Sequence, residues 1–472
     1  MGNPAAQTPV LDRFVREDAV SFRNAFCQNP VCTPSRCSFM TGWYPHVRGH
    51  RTMFHMLHPE HGEPVLLKTL KENGYYVWWG GKNDLVPGQD GFEAYCDVKY
   101  LPSEPVAPIW QIDREAEWRG EAGSDSYYSF FAGKLPHTPG YDHYHDGDWA
   151  NVLGAVDLIR NYRGEKPLCI YLPLTYPHPP YACEDPWYSQ IDRSRLPRRI
   201  PAPDDWSLKP SILKGIAQVQ NLHGWTEECW TELRAAYYAM CSRLDAQFGL
   251  LKEALKNAGL YEDSAVFFFS DHGDFTGDYG LVEKTQNTFE NCLTRVPFII
   301  KPPKGIAIRP RVSDALVELL DFPATVEALT GIQPQHTHFG RSLLPVLAGE
   351  TDQHREAVFC EGGRLHGETH CMELQSESHQ VPSGLYYPRL LQQRSEGPEH
   401  TKAVMCRTKE YKYVRRLYET DELYDLHKDP HELNNLVDDP NYSQVFTMMK
   451  EWLLTWFLET GDVVPYEVDQ RS

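Results

Sequence analysis

The stretch Cys32-Thr33-Pro34-Ser35-Arg36-Cys37-Ser38-Phe39-Met40-Thr41-Gly42-Trp43-Tyr44-Pro45 organises the reading of the whole chain. A cysteine, a proline that fixes the backbone, a small hydroxyl residue and an arginine come in succession just before a segment of helical character. A reactive thiol, a cation and the N–H donors of a helix start therefore fall at one point, which suits an anionic substrate. Cys27, Cys32 and Cys37 recur every five residues, a spacing that fits no common metal motif, and Cys32 stands apart only through its neighbours.

Outward from this stretch, the 472 residues suffice for a large α/β domain and a smaller companion. A formal charge of -19 argues against a general binder of nucleic acid or of anionic membranes. Any anion site must then be a local island of positive charge. No apolar run approaches the roughly 18 residues of a membrane span, and Met1-Gly2-Asn3-Pro4-Ala5 has neither a basic nor an apolar leader, so the expected location is cytoplasmic. The twelve cysteines include no Cys-x-x-Cys pair. All but Cys32 read as small buried hydrophobes, not as a zinc site or a disulfide framework.

Hydrophobic periodicity orders the rest. Residues 8–26 read as a short amphipathic helix and then a strand, 65–74 as a helix closed by Asn73-Gly74, and 75–79 as a buried strand. That strand runs into Gly80-Gly81-Lys82-Asn83-Asp84. A strand after a helix at this distance signals a parallel βαβ arrangement, whose ligands gather beyond the carboxyl ends of the strands. Residues 85–145 form a long excursion of loops and short elements. A helix near 148–162 leads to a strand over 167–174, which ends in Thr175-Tyr176-Pro177-His178-Pro179-Pro180-Tyr181. The clearest long helix spans 231–256. The strand after it, 265–269, delivers Ser270-Asp271-His272-Gly273-Asp274, and 295–301 makes another strand. A helix near 314–330 closes the first domain. Beyond about 352 the texture changes, dividing a catalytic unit over 1–350 from a smaller α+β unit over 351–472. The latter holds a short strand at 357–359, a polar insertion at 362–400, a strand at 409–414 and a helix near 444–459.

The pattern Cys32-x-Pro34-Ser35-Arg36, followed by Thr41-Gly42 and then Pro45, resembles the signature of the type I, formylglycine-dependent sulfatases of the alkaline phosphatase superfamily. Further elements resemble the family in the same order. Gly81-Lys82-x-Asp84 is similar to its Gly-Lys-x-His element, with Asp84 where histidine is usual, and His178-Pro179 is similar to its sulfate-touching loop. Asp271-His272 and Lys284 match its metal ligands and second active-site lysine. The resemblance implies an alkaline phosphatase-like, mostly parallel sheet flanked by helices, with a smaller C-terminal α+β domain. It also implies that a formylglycine-generating maturation enzyme oxidises Cys32, whose aldehyde hydrate is both nucleophile and metal ligand. Arg36 would steady that nucleophile, and Lys82, His178 and Lys284 would bind the sulfuryl oxygens, with His178 or Lys284 protonating the departing alkoxide. The sulfated hydrate would then collapse to the aldehyde. Residue 32, Asp271 and His272 would hold a divalent metal, calcium or, given the imidazole, manganese. In the family a buried strand ending in adjacent acidic residues precedes the segment matched by 8–26 and supplies two more metal carboxylates. The sequence shows no counterpart, so an N-terminal truncation or mis-assigned start, and weak metal retention, are expected.

The expected function is hydrolysis of a sulfate ester, carried by a sugar or another alcohol. A phosphonate or phosphate ester hydrolase of the same superfamily is the close alternative. A non-catalytic anion- or glycan-binding protein is the distant one, and it has no use for a modifiable cysteine. Expected partners are a small sulfated substrate and the maturation enzyme, with no nucleic acid and no membrane. The excursion at 85–145 and the insertion at 362–400 are expected to select the substrate.

Overall fold

The computed structural model describes residues 3, 5–108, 121, 124, 127–374, 376 and 381–471. In chain order the principal elements begin with α1 (Pro9–Glu17), β1 (Val20–Phe26), α2 (Cys32–Thr41), α3 (Leu66–Glu72), β2 (Tyr76–Trp79), β3 (Val98–Lys99) and β4 (Phe131–Leu135). Next come α4 (Gly147–Asn161), β5 (Leu168–Tyr171), β6 (Tyr181–Glu184), α5 (Ser211–Gln220), α6 (Glu227–Asn257), β7 (Val266–Phe269), β8 (Arg295–Val296) and β9 (Phe298–Lys301). The chain ends with β10 (Arg311–Glu318), α7 (Asp321–Thr330), β11 (Val358–Gly362), α8 (Tyr387–Leu391), β12 (Ala403–Arg407), β13 (Tyr411–Arg416), β14 (Glu422–Asp425) and α9 (Ser443–Thr460).

The pleat sorts side chains between two helical layers, because successive residues of a strand face opposite ways. Val77 and Trp79 of β2, Phe298 and Ile300 of β9, and Phe267 and Phe269 of β7 pack with α2, α3 and α7. The alternate residues Val266, Phe268 and Ile299 meet Leu11 and Phe14 of α1 and Phe248 of α6. Ile170 of β5 meets α4 and α6. Each fully buried ring, such as Phe14 or Phe22, contributes about 2–3 kcal/mol by leaving water.

β1 runs parallel to β10, β2 runs parallel to β3 and β5, and β4 pairs in parallel with β6. Antiparallel pairing in the large domain is confined to β8 and β9 among the described residues. β5 pairs with β2, and β7 with β9, so each keeps one edge without a strand partner among the described strands. All residues of both strands are half-buried. Strands β11 to β14 form a separate antiparallel sheet, against which α9 buries Met449, Leu453 and Trp456, and this is the smaller C-terminal domain.

One expected element is corrected. Residues 311–318, expected to begin a helix over 314–330, are strand β10 in register with β1, and the helix starts only at Asp321. Ala315 and Val317 enter one core cluster and Leu316 another, so the second half of β10 is buried on both faces, while Val312 and Asp314 of its first half are exposed. The apolar run Ala315-Leu316-Val317 has no alternation, and periodicity cannot separate it from a buried helix. The segment at 295–301 is two short strands, broken at Pro297, which has no N–H to donate. All twelve cysteines are free thiols, and Cys229 is exposed, against its expected burial. No helix among the described residues is long and apolar enough to cross a membrane.

Candidate active site

Residues beyond the carboxyl ends of β1, β2, β5 and β7 converge on the first residue of α2. Cys32 opens that helix, whose ten residues are all buried and whose end is set by Gly42 in the left-handed region (φ 71). The partial positive charge of a helix N-terminus therefore falls on the thiol. Gly81 (φ +83) turns the chain out of β2 so tightly that a Cβ would lie 2.2 Å from Pro173 O, and Lys82 N donates to that same carbonyl at 2.9 Å. After β7 a Cβ at Gly273 would lie 1.9 Å from Cys292 O, so only glycine lets the Asp271-His272 turn close against the 292–293 backbone.

The sequence-predicted residues come together. Cys32 Sγ lies 3.2 Å from His272 Nε2, and Lys82 Nζ donates to the sulfur at 3.7 Å. Lys284 Nζ lies 2.7 Å from His178 Nε2 and donates to Glu283 Oε1 at 2.5 Å. Arg36 Nε donates to Asp271 Oδ2 at 2.9 Å and lies 3.9 Å from Asp84 Oδ2, which in turn lies 2.9 Å from Lys82 Nζ. Arg36 thus orders the carboxylates on either side of it, and its expected influence on residue 32 passes through Asp271 and His272. Asp84, in register with a histidine of the family, is a counter-ion held between two cations.

Electrostatics follow from this packing. Burial opposes ionisation of the Cys32 thiol, but Lys284, Lys82 and His272 outweigh it and bring the group down to about 7. Burial likewise opposes charge on His272, yet Asp271 and Cys32 raise it to about 9. Asp271 is held well below the carboxylate range because His272, Arg36 and Lys82 overcome its burial. His178 goes the other way. Burial, reinforced by Lys284 and Lys82, keeps its imidazole uncharged.

Cys32, Asp271 and His272 present ligand atoms within 4.8 Å of one another, a set able to take a divalent ion. His272 Nδ1 is 2.8 Å from Gly273 O, a carbonyl that can only accept, so Nδ1 keeps its proton, and Nε2 would become the donor atom for a metal by giving up its own. The cluster as a whole gathers Arg36, Lys82, Lys284 and His272 near Cys32, with Asp84, Asp271 and Glu283 as their counter-ions.

Two residues join this group without having been singled out from the sequence. Glu283 holds Lys284 from a left-handed backbone (φ 66), and both are buried, so the pair is no solvated surface bridge. Tyr386, immediately before α8 in the insertion, places its hydroxyl 3.1 Å from His178 Nε2, with Lys284 Nζ 5.1 Å from its ring centroid.

Comparison with known proteins agrees. The family model described as Sulfatase matches residues 1–332, and one described as N-sulphoglucosamine sulphohydrolase, C-terminal, matches 363–457. Arylsulfatase K of Rattus norvegicus is 26% identical over 458 residues, covering 93% of this chain and 72% of that protein. Choline-sulfatase of Rhizobium meliloti (strain 1021) is 28% identical over 437 residues, covering 89% and 75%. In fold, the chain is similar to phosphonate monoester hydrolase of Agrobacterium radiobacter, with a TM-score of 0.72 at 21% identity over 97% of this chain and 92% of that one. The family model over 1–332 spans well over half of the chain and establishes the conclusion: the chain belongs to the sulfatase family, hydrolases of sulfuric esters with an alkaline phosphatase-like fold.

Proposed function

We propose that the chain hydrolyses a sulfate ester of a carbohydrate through a formylglycine made from Cys32, with Arg36, Lys82, His178 and Lys284 as its working side chains. The carrying observation is the placement of Cys32 Sγ at a helix start, within 3.7 Å of Lys82 and 3.2 Å of His272. Support for a sugar comes from the C-terminal match, whose description names an N-sulphoglucosamine hydrolase, and from the aromatic Tyr386 beside the site. Residues 1–350 form the catalytic unit and 351–472 the smaller one, whose insertion completes the pocket.

Residue 32, Asp271 and His272 would hold the metal, which we take to be calcium, with manganese as the alternative suited to the imidazole. When bound, that ion polarises the sulfuryl group. The hydrate of the formylglycine supplies the attacking hydroxyl. Cys32 is 1% exposed, so the maturation enzyme must act before the chain closes over it. Lys82 and Lys284 offset the negative charge that builds on the sulfuryl oxygens as the S–O bond breaks. Asp271 stays ionised and fixed by Arg36, so the nucleophile's surroundings need no rearrangement during the reaction. Uncharged His178 orients the Lys284 ammonium at 2.7 Å, and that ammonium can give a proton to the departing oxygen.

The test is co-expression with a formylglycine-generating enzyme, mass analysis of the peptide carrying residue 32, and assay on matched aryl sulfate and aryl phosphonate esters. Conversion of residue 32 with faster sulfate cleavage is expected, and Cys32→Ala should lower that rate by at least roughly a thousandfold, as loss of a covalent nucleophile does. Faster phosphonate cleavage would assign the chain to the neighbouring reaction class, and full activity in Cys32→Ala would remove the nucleophile from the scheme.

A further inference from the structure

Two polar side chains, those of Lys284 and Tyr386, meet at one nitrogen of His178. Its Nδ1 lies 2.8 Å from Pro179 O, which can only accept, so Nδ1 carries the proton and Nε2 presents its single lone pair. Lys284 Nζ stands 2.7 Å from Nε2 and Tyr386 Oη 3.1 Å from it. One lone pair cannot take two full hydrogen bonds, so whenever the tyrosine hydroxyl holds it the lysine keeps its bond to Glu283 and swings the N–H that faced His178 toward the ester, beside the one already free. Tyr386 itself is rigidly seated. Arg389 lies 4.6 Å from its ring centroid and is buried, pairing with Glu373 at 3.3 Å and donating to Gln286, two residues from Lys284. Leu385 packs into the core cluster that also holds Tyr181 and Trp230. The C-terminal insertion is thereby locked to the loop that carries Lys284.

Resting on the hydrolase reading above, we infer that Tyr386 is a positioning residue for the departure step: its hydroxyl takes over the His178 lone pair and releases the Lys284 ammonium toward the leaving oxygen. As the ester S–O bond breaks, its electron pair goes to that oxygen, which takes one proton from Lys284. The lysine is left as a neutral amine and is reprotonated from water after product release. The ring of Tyr386, 5.1 Å from Nζ, keeps the ammonium at the site throughout, so the hydroxyl and the ring have separable duties.

Tyr386→Phe removes the hydroxyl and keeps the ring. Protein matured at residue 32 would be assayed, as wild type and as this variant, on esters running from 4-nitrophenyl sulfate, whose phenolate leaves unaided, to alkyl and sugar sulfates, whose alkoxides need a proton. The variant should lose about tenfold or more in kcat on the alkyl and sugar sulfates, stay within about threefold on 4-nitrophenyl sulfate, and keep KM within about twofold. A packing defect would slow every ester alike, and that outcome, or a loss confined to KM, overturns the assignment. A second readout needs no turnover. The imidazole 15N resonance of His178, identified by its disappearance in His178→Gln, should move in Tyr386→Phe, and an unmoved resonance rejects the hydrogen bond. A matured wild type that cleaves no sulfate ester refutes the hydrolase reading and this role with it, whereas an active wild type with a uniform Tyr386→Phe defect refutes Tyr386 alone.

Discussion

Asp84 stands where the sequence resemblance leads one to expect a histidine, and its surroundings say what a carboxylate does there. Its carboxylate stands 2.9 Å from the Lys82 ammonium and 3.9 Å from Arg36, inside a pocket whose task is to attract an anion. A fixed negative charge there competes with the substrate for the same cations, and burial keeps solvent from screening the competition. Asp84→Asn should therefore tighten binding of inorganic sulfate by about tenfold, or ~1.4 kcal/mol, measured by calorimetry. Unchanged or weaker binding would mean that the carboxylate arranges Lys82 for the anion and does not oppose it. Cys32, Lys82, His178, Asp271, His272 and Lys284 were legible at this scale because each lies in a short local motif that resembles the sulfatases. Tyr386 was not legible as a site residue. Its closeness to His178 spans 208 positions of chain, and no local pattern carries that information.

Among the elements, α4 has a role beyond packing, because its first turn holds the loop that carries His178. Asp148 accepts hydrogen bonds from Thr175 N and Tyr176 N, each at 2.8 Å, and His178 N then donates to Thr175 O at 2.9 Å. Burial, together with the neighbouring Asp146 carboxylate, raises Asp148 to about 6 from an ordinary 3.8. A carboxyl raised in the folded state gives stability that is fully present below about pH 3.8 and is lost as the pH rises through about 6. The stability of the wild type relative to Asp148→Asn should accordingly fall between pH 4 and pH 7, by roughly 3 kcal/mol at most. Urea midpoints of the two proteins across that range give the measurement, and a difference that grows with pH would show that the backbone N–H groups, not burial, govern this carboxyl. Element boundaries were legible wherever one face stays wet, as in α1 and α6. They failed at β10, whose second half is buried on both faces and so lacks the alternation that marks a strand.

Across the molecule, the sheet of β1 and β10 and the C-terminal sheet are joined by a buried ionic knot. Arg355 lies 3.1 Å from Glu318 and 2.5 Å from Asp321, at the end of β10 and the start of α7. Glu318 also accepts from Tyr44 Oη at 2.6 Å and from Phe359 N of β11 at 2.7 Å, so one carboxylate touches the Cys32 segment and the C-terminal sheet together. Arg355→Ala would leave two buried carboxylates without their shared cation. It should cost about 3 kcal/mol or more, read as a lower urea midpoint by circular dichroism. A loss below 1 kcal/mol would mean that water or His354, 3.0 Å from Asp321, replaces the guanidinium. The same closeness of the two domains lets the insertion at 362–400 supply Tyr386 and Arg389 to a site built otherwise from the first 284 residues.

The sequence by itself determined the site's contents and the order of its loops. Those depend on local chemistry: a proline and a cysteine at a helix start, glycines where the chain must turn, charged residues just past apolar strands. Only the tertiary structure decided how these groups are coupled. Asp84 became a counter-ion between Lys82 and Arg36, Arg36 came to act through Asp271, β10 became a strand on β1, and Tyr386 came from the far end of the chain to the single lone pair of His178. The physical reason is range. Turn geometry and helix starts are set by neighbours along the chain, whereas burial, charge pairing and shared hydrogen bonds are set by whichever residues the folded core brings within a few ångströms.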